Sequence, residues 1–283
     1  MGSILNFDSF FIPLDSWIEV LVDWLVGNFR PQFQLIKWPV DVTLTGIDSF
    51  LNWLPPIIVL LFVVFVAWKF SGKAVAIFSL ISFLLIGYMG LWSETMTTLA
   101  MVFSAVIFCV VVGVPLGIIA SRSDGFAAGI RPVLDTMQTT PAFVYLVPVV
   151  MLFSIGTVAG VIATIVFSMP PIIRLTNLGI RQVHPELIEA ALAFGSTPRQ
   201  VLVKVQVPLA LPTIMAGLNQ TIMLSLSMVV IAALIGAGGL GVPVFQGLNS
   251  LQVGLAGIGG ISIVLMAMVL DRITQSLGDL GKR

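Results

Sequence analysis

The longest run of the sequence without a charged side chain extends over residues 205–270, which is 66 residues. Four further runs of this kind cover residues 49–68, 74–93, 95–121 and 136–173. A helix needs about 20 apolar residues to cross a bilayer. Only 9% of the chain is charged, whereas soluble domains carry about 25% charged residues. The sequence therefore predicts an all-α polytopic membrane protein. It excludes an ordinary soluble enzyme, a disordered chain and a nucleic-acid binder.

The uncharged runs divide into about seven transmembrane helices. The first three runs contain 20, 20 and 27 residues, so each fits one span. Residues 136–173 fit two spans that meet near Gly156, and the Gly-rich stretch 236–254 separates two more in the longest run. The chain is thereby divided into an N-terminal external tail (1–48), two peripheral transmembrane helices (49–93), a core (94–275) that contains the loop 174–204, and a C-terminal tail (276–283).

Basic residues are distributed unequally between the two sets of connecting segments. Eleven lie in one set, and only Arg30 and Lys37 lie in the other. Because positively charged loops stay in the cytoplasm, we expect the N-terminus outside and the C-terminus inside. The eleven are Lys69, Lys73, Arg122, Arg131, Arg174, Arg181, Arg199, Lys204, Arg272, Lys282 and Arg283.

The N-terminal tail carries two amphipathic stripes. Trp17, Leu21 and Trp24 recur at helical spacing, and a weaker stripe begins at Leu44. Such stripes are typical of helices that lie along a membrane interface, and we expect interfacial helices in this tail. A tail that packs on the bundle is an equally open alternative.

The sequence contains no energy-coupling or catalytic site of its own. No phosphate-binding G-x-x-x-x-G-K-[ST] segment occurs. Ion-coupled carriers place carboxylates within the membrane, but Glu94, Asp135 and Asp271 all lie at predicted span ends. One cysteine and one histidine exclude a disulfide framework and a His-rich metal site. We therefore expect a non-enzymatic chain without a cofactor, driven by another polypeptide.

The inner loop 174–204 contains a short predicted helix. Pro185 suits its first position, Glu186 and Glu189 lie near its positive end, and Gly195 suits its stop. Leu187 and Leu192 make it apolar. Such a helix fits either a groove of a partner or the inner surface of its own bundle.

The same loop carries the residues of a long motif. It contains Glu189-Ala190-Ala191, then Gly195 after three residues, and then Val205-Gln206-Val207-Pro208 after nine more. This arrangement resembles the EAA---G---------I-LP motif of ABC importer permeases. Four further segments are informative: QTTPAFVYLVP (138–148), PPIIRLTN (170–177), GLNQT (217–221) and residues 236–241. They are similar to the glycine betaine/proline betaine permease branch. The resemblance covers about residues 95–275. It departs from the motif by Val for Ile and Val for Leu.

This resemblance implies an ABC type I importer permease fold in the cytoplasmic (inner) membrane of a bacterium or archaeon. It implies a second copy of the chain, two ATP-binding cassette subunits that bind ATP and magnesium, and an external or periplasmic binding protein that delivers glycine betaine or a related quaternary ammonium osmolyte. The residues expected to couple to the ATPase are Glu186, Leu187, Glu189, Ala190, Ala191, Leu192, Gly195 and Pro208.

The translocation path is expected at polar and aromatic residues within the apolar spans, because polar side chains there face a cavity or a partner helix. An aromatic ring can also attract a trimethylammonium group. Hydrogen bonding between helices explains the polar residues equally well. The candidates are Gln138, Thr139, Thr140, Phe143, Tyr145, Asn219, Gln220, Ser225 and Ser227.

Three other functions remain open at this point: a permease for choline or carnitine, a self-sufficient secondary carrier, and a non-transporting membrane scaffold.

Overall fold

The computed structural model describes residues 13–279, which form helices joined by short turns and contain no β-strand. The prediction of an all-α chain is confirmed. The helices are α1 (Leu14–Trp53), α2 (Pro56–Ser71), α3 (Lys73–Tyr88), α4 (Trp92–Arg122), α5 (Asp124–Thr139), α6 (Leu146–Phe153), α7 (Thr157–Arg181), α8 (Pro185–Ala193), α9 (Pro198–Val201), α10 (Val207–Ala232), α11 (Gly241–Asn249) and α12 (Val253–Asp279). A 3₁₀ turn (Ala142–Tyr145) precedes α6, and another (Ala233–Ile235) follows α10.

Within residues 13–279, four helices are long and apolar enough to cross a membrane: Trp92–Arg122, Thr157–Arg181, Pro198–Ile235 and Val253–Gly278. Two bent pairs of helices raise the number to six if each pair forms one span. The one remaining predicted span, at residues 74–93, corresponds to α3, which has 16 residues. At 1.5 Å per residue α3 is about 24 Å long, short of the roughly 30 Å hydrocarbon core. Multiple membrane spans are thus supported, although not seven long ones.

Proline explains both bent pairs. The pair Pro31–Trp53 and Pro56–Ser71 is bent by 105°, and the pair Asp124–Thr139 and Ala142–Phe153 by 108°. Leu54 and Thr140, each directly before a proline, have extended backbone conformations. A residue before proline is disfavoured in the helical region. The spans predicted at 49–68 and after 136 are therefore broken at Pro55 and Pro141.

The centre of the bundle is α7, packed between α4 and α10 through small residues. An ideal β-carbon at Gly117 of α4 would lie 2.5 Å from Thr176 Cβ on α7. One at Gly217 of α10 would lie 3.0 Å from Leu175 Cβ, also on α7. Small side chains let membrane helices approach closely. These glycines therefore set the spacing of the three central helices.

Hydrogen bonds identify which helix ends lie together. At one end, Arg122 donates to the Pro198 carbonyl (3.2 Å) and Arg181 to the Ala120 carbonyl (2.8 Å). At the other, the Leu240 amide donates to Thr98 Oγ1 (2.8 Å). The first end, called the basic end below, comprises the 71–73, 122–124 and 181–204 connections and the α12 terminus near Arg272. Lys282 and Arg283 lie outside the described residues.

The N-terminal region differs from the expectation of separate interfacial helices. One helix, α1, runs through Gly27, Pro31 and Pro39, so the boundary expected at residue 48 falls inside it. Trp17 and Trp24 are exposed in its first half, whereas its second half buries Val40 and Leu44 in the core. Residues 1–12 lie outside the described part. That the exposed half lies on the membrane interface remains a prediction.

Candidate functional site

The connection between α7 and α10 presents α8 at the basic end of the bundle. Pro185 begins the helix, and Glu186 lies in its first turn. A proline has no amide hydrogen to leave unpaired there, and an acidic residue complements the helix dipole. The predicted short helix at this position is confirmed.

Apolar side chains of α8 and of the residue after it are partly or largely exposed. Within α8 no residue is fully buried. Leu187 and Leu192 are about half exposed, and Phe194 is 91% exposed. Ile188 and Ala191 are partly covered. The helix therefore buries only part of its apolar surface against its own bundle, and Phe194 is left uncovered. Exposed apolar side chains in such a cluster are typical of a protein contact.

Gly195 ends α8 in a left-handed conformation, with φ of 83°. The Ser196 amide donates to the Ala191 carbonyl (3.0 Å), and the Gly195 amide to the Leu192 carbonyl (2.9 Å). This pair of bonds defines the Schellman helix stop, which favours glycine. An added β-carbon would meet no atom within 4 Å. Gly195 is therefore required by its backbone conformation and not by crowding within the chain.

The motif ends in an irregular stretch that leads into α10. Thr197 and Gln200 form a capping box at the start of α9. The segment Leu202–Gln206 is a π turn directly before Pro208. A proline inside a helix clashes with the carbonyl four residues earlier, and π turns are one way in which a helix accommodates such a defect. Pro208 thus lies where the connection at the basic end leads into a helix long and apolar enough to cross a membrane.

Two of the predicted path residues join helices. Asn219 of α10 donates to the Asp271 carboxylate of α12 (3.0 Å) and accepts from Thr274. Ser225 of α10 donates to Ser168 Oγ of α7 (3.0 Å) and is fully buried. For these two side chains, the structure favours packing over contact with a solute.

Four other predicted path residues lie around the break between α5 and the 3₁₀ turn. The hydroxyls of Thr139 and Thr140 donate to the Thr136 carbonyl, and Tyr145 Oη donates to the Met137 carbonyl (2.6 Å). Gln138 accepts from Arg174 of α7. The Met137 carbonyl has no helical partner, because Pro141 lacks an amide hydrogen, so the Tyr145 hydroxyl satisfies it and stabilises the bend. The Thr136 carbonyl also accepts from the Thr140 amide (3.0 Å), so the hydroxyls of Thr139 and Thr140 add to a bond already present.

The remaining predicted path residues are exposed. Phe143 is 60% exposed, and Gln220 and Ser227 of α10 are exposed too. Residues seven apart lie on one face of a helix, and Leu234 continues the same exposed face. On this face of α10, the polar side chains of Gln220 and Ser227 are not covered by any other helix within residues 13–279. Polar groups at membrane depth require a partner or a water-filled cavity.

The sequence did not reveal a charged cleft between α5 and α7. Arg174 pairs with Asp135, and Arg181 with Asp124 at 2.7 Å. They line a cavity of about 560 Å³ together with Arg131. The members of the first pair are 39 residues apart, so no local spacing signals it. Among residues 13–279 no group of three His, Cys, Asp or Glu side chains is placed to hold a metal.

Known proteins share this sequence and fold. The family described as binding-protein-dependent transport system inner membrane component matches residues 113–280. The glycine betaine/proline betaine transport system permease protein ProW of Escherichia coli (strain K12) is 55% identical over 267 residues, covering 94% of this chain and 75% of that protein. The glycine betaine transport system permease protein OpuAB of Bacillus subtilis (strain 168) is 48% identical over 266 residues, covering 94% of each.

A solved structure of the MetNI methionine ABC transporter in inward-facing conformations contains a chain of similar fold. The TM-score is 0.59 at 23% identity, over 66% of this chain and 93% of that chain. The fold is therefore that of an ABC type I importer permease, a multi-pass membrane subunit. The chain belongs to the family of binding-protein-dependent transport system inner membrane components.

Proposed function

We propose that this chain is the transmembrane permease subunit of an ATP-driven importer for glycine betaine or a related quaternary ammonium osmolyte. It forms the translocation path and has no enzymatic activity of its own. A separate ATPase, which binds ATP and magnesium, supplies the energy. Its location is the cytoplasmic (inner) membrane of a bacterium or archaeon, with the basic end of the bundle in the cytoplasm.

The observation that carries this proposal is the exposed apolar surface of α8. Leu187 and Leu192 are about half exposed and Phe194 is almost fully exposed within residues 13–279, although α8 lies beside the charged residues of the basic end. A groove on an ATP-binding cassette subunit would bury these side chains. Movements of the ATPase would then pass through α8 and Gly195 into α10.

The partners follow from the same surfaces. The exposed α10 face with Gln220 and Ser227 suits a second copy of the chain, since a two-fold pair of such faces encloses a polar path between apolar spans. Two ATP-binding cassette subunits then cover the two α8 helices. An external or periplasmic binding protein, the partner that the family description names, delivers the osmolyte at the opposite end.

The names of the relatives support the substrate class. Besides the two glycine betaine permeases, the relatives include a carnitine permease of Listeria monocytogenes and a choline permease of Bacillus subtilis, at 34% and 35% identity over about 60% of this chain. Glycine betaine, carnitine and choline all carry a trimethylammonium group. The exposed ring of Phe143 offers the cation–π contact that such a group favours.

The function is tested by reconstituting the chain in proteoliposomes with its ATPase and binding protein. We expect uptake of labelled glycine betaine that requires ATP and binding protein, with excess unlabelled choline and carnitine competing less well. Uptake by the chain alone under an ion gradient would establish the secondary-carrier alternative. Stronger competition by choline or carnitine would change the assigned substrate.

The path is tested at two adjacent residues of α10. Gln220→Ala should lower the maximal uptake rate about two- to tenfold, which corresponds to one hydrogen bond, without changing thermal stability. Asn219→Ala should instead lower stability by about 1–3 kcal/mol, because Asp271 loses a donor. Uptake assays and thermal unfolding of the purified complex measure both effects. Unchanged uptake in Gln220→Ala at normal expression would remove this residue from the path.

A further inference from the structure

The N-terminal helix α1 makes one polar contact with the end of α6. Lys37 Nζ donates to the carbonyl of Phe153, the last residue of α6, at 3.3 Å. The rings of Phe33 and Phe153 pack edge to face beside it, with centroids 5.7 Å apart. Phe153 itself is buried. A single turn of α1 thus supplies both an apolar and a charged contact to this helix end.

A cation at this position has a physical role. The last carbonyls of any helix lack partners within the helix, and its C-terminus carries a partial negative charge. After Phe153 the chain turns through Ser154, a non-glycine residue with φ of 71°. The Lys37 ammonium supplies a donor to one of these carbonyls, that of Phe153, and places a positive charge at the negative end of this eight-residue helix.

The two ends of α6 connect this contact to the proposed path. At its start lies Tyr145, whose hydroxyl stabilises the break beside Phe143. Just past its end, the Gly156 amide donates to the Ile235 carbonyl at 2.9 Å, in the turn that follows α10. A displacement at the Phe153 end of α6 therefore reaches both the aromatic residues at the break and the turn at the end of α10.

We propose that Lys37 is a positioning residue for the outer gate of the path. Its ammonium holds the end of α6, and thereby the turn after α10, in the closed arrangement until the binding protein docks. This role rests on the proposed transport function. It makes α1 a part of the gating machinery and not a passive N-terminal extension.

The experiment uses Lys37→Met, which keeps the aliphatic stem and removes the ammonium, in the full complex in nanodiscs. Lys37→Arg should restore the contact, and Gln34→Met, an exposed position on the same helix, is the matched control. Hydrogen–deuterium exchange at the Ser154 and Gly156 amides reports how firmly the Lys37 contact holds the end of α6, because these amides follow Phe153 and donate to the Val150 and Ile235 carbonyls. ATP hydrolysis with and without loaded binding protein reports gating.

For Lys37→Met we expect faster exchange at both amides and about a fivefold rise in hydrolysis without binding protein, because the closed state loses a charged hydrogen bond. The maximal rate with saturating binding protein should change less than about twofold, since in this proposal docking of the binding protein has already released the contact. Lys37→Arg and Gln34→Met should resemble the unmodified protein in both measurements.

The results separate this proposal from the proposed function. Unchanged exchange in Lys37→Met would disprove the contact, whatever the complex transports. Faster exchange with an unchanged ratio of stimulated to basal hydrolysis would disprove the gating role. Equal loss of basal and stimulated rates, not restored by arginine, would also overturn it. If the unmodified complex shows no stimulation by binding protein, the transport function fails while the exchange measurement still decides the contact.

Discussion

Gly195→Val is expected to abolish most of the ATP hydrolysis that loaded binding protein stimulates. The left-handed backbone of Gly195 costs an L-residue about 1–2 kcal/mol, and a β-branched residue is least tolerated there. The C-terminus of α8 would rearrange and displace Phe194. A change of 1–2 kcal/mol corresponds to a factor of about 5–30, so we expect stimulated hydrolysis to fall by that factor in nanodiscs.

Membrane insertion should be unaffected, because Gly195 is exposed and its surroundings are open within 4 Å. Gly195→Asn is the matched control, since asparagine tolerates the left-handed region and serves at helix stops. It should retain most of the stimulation. Equal loss in both variants would point to the added side chain and not to the backbone. Full stimulation in Gly195→Val would exclude α8 as the transmission element.

Gly117→Ala is expected to destabilise the packing of α4 on α7. The new β-carbon would lie 2.5 Å from Thr176 Cβ and 2.8 Å from the Ile173 carbonyl oxygen. Both neighbours belong to the buried part of α7, so the helices must separate. Overpacking of this kind costs about 1–3 kcal/mol and occasionally more. Thermal unfolding of the purified complex, followed by size-exclusion chromatography, measures the loss.

Gly129→Ala of α5 is its control, because a β-carbon there meets nothing within 4 Å. Alanine is a better helix former than glycine by about 0.5–1 kcal/mol, so this variant should be as stable as the unmodified chain or more so. A Gly117→Ala protein that melts at the unmodified temperature would show that α4 and α7 are not in close contact.

The sequence was most informative where local chemistry decides the structure. Uncharged runs located the long spans, and the EAA pattern located α8 and Gly195. Both depend on neighbouring residues alone. Proline also acts locally: Pro55 and Pro141 lie at the two bends, directly after Leu54 and Thr140. Counting uncharged residues does not reveal these bends, because the hydropathy of a segment carries no information about the direction of its helix axis.

Contacts between distant segments were beyond such reasoning. Asn219 and Asp271 are 52 residues apart, and only the packing of α10 on α12 brings them together. The same holds for Lys37 and Phe153, which are 116 residues apart. The sequence therefore does not distinguish polar residues that join helices from polar residues that are exposed. Ser225 is of the first kind and Gln220 of the second.

The central claim, that α8 docks on a cytoplasmic ATPase, is tested most directly by labelling Phe194→Cys with a membrane-impermeant maleimide. Native Cys109 is fully buried and contributes little background. Leu251→Cys, at an 88% exposed position in the α11–α12 connection, serves as the control. We expect Phe194→Cys to react only from the cytoplasmic side and to become strongly protected when the ATPase is bound. Leu251→Cys should react only from outside, with or without the ATPase. Labelling of Phe194→Cys at the same rate in the free chain and in the assembled complex would contradict the account.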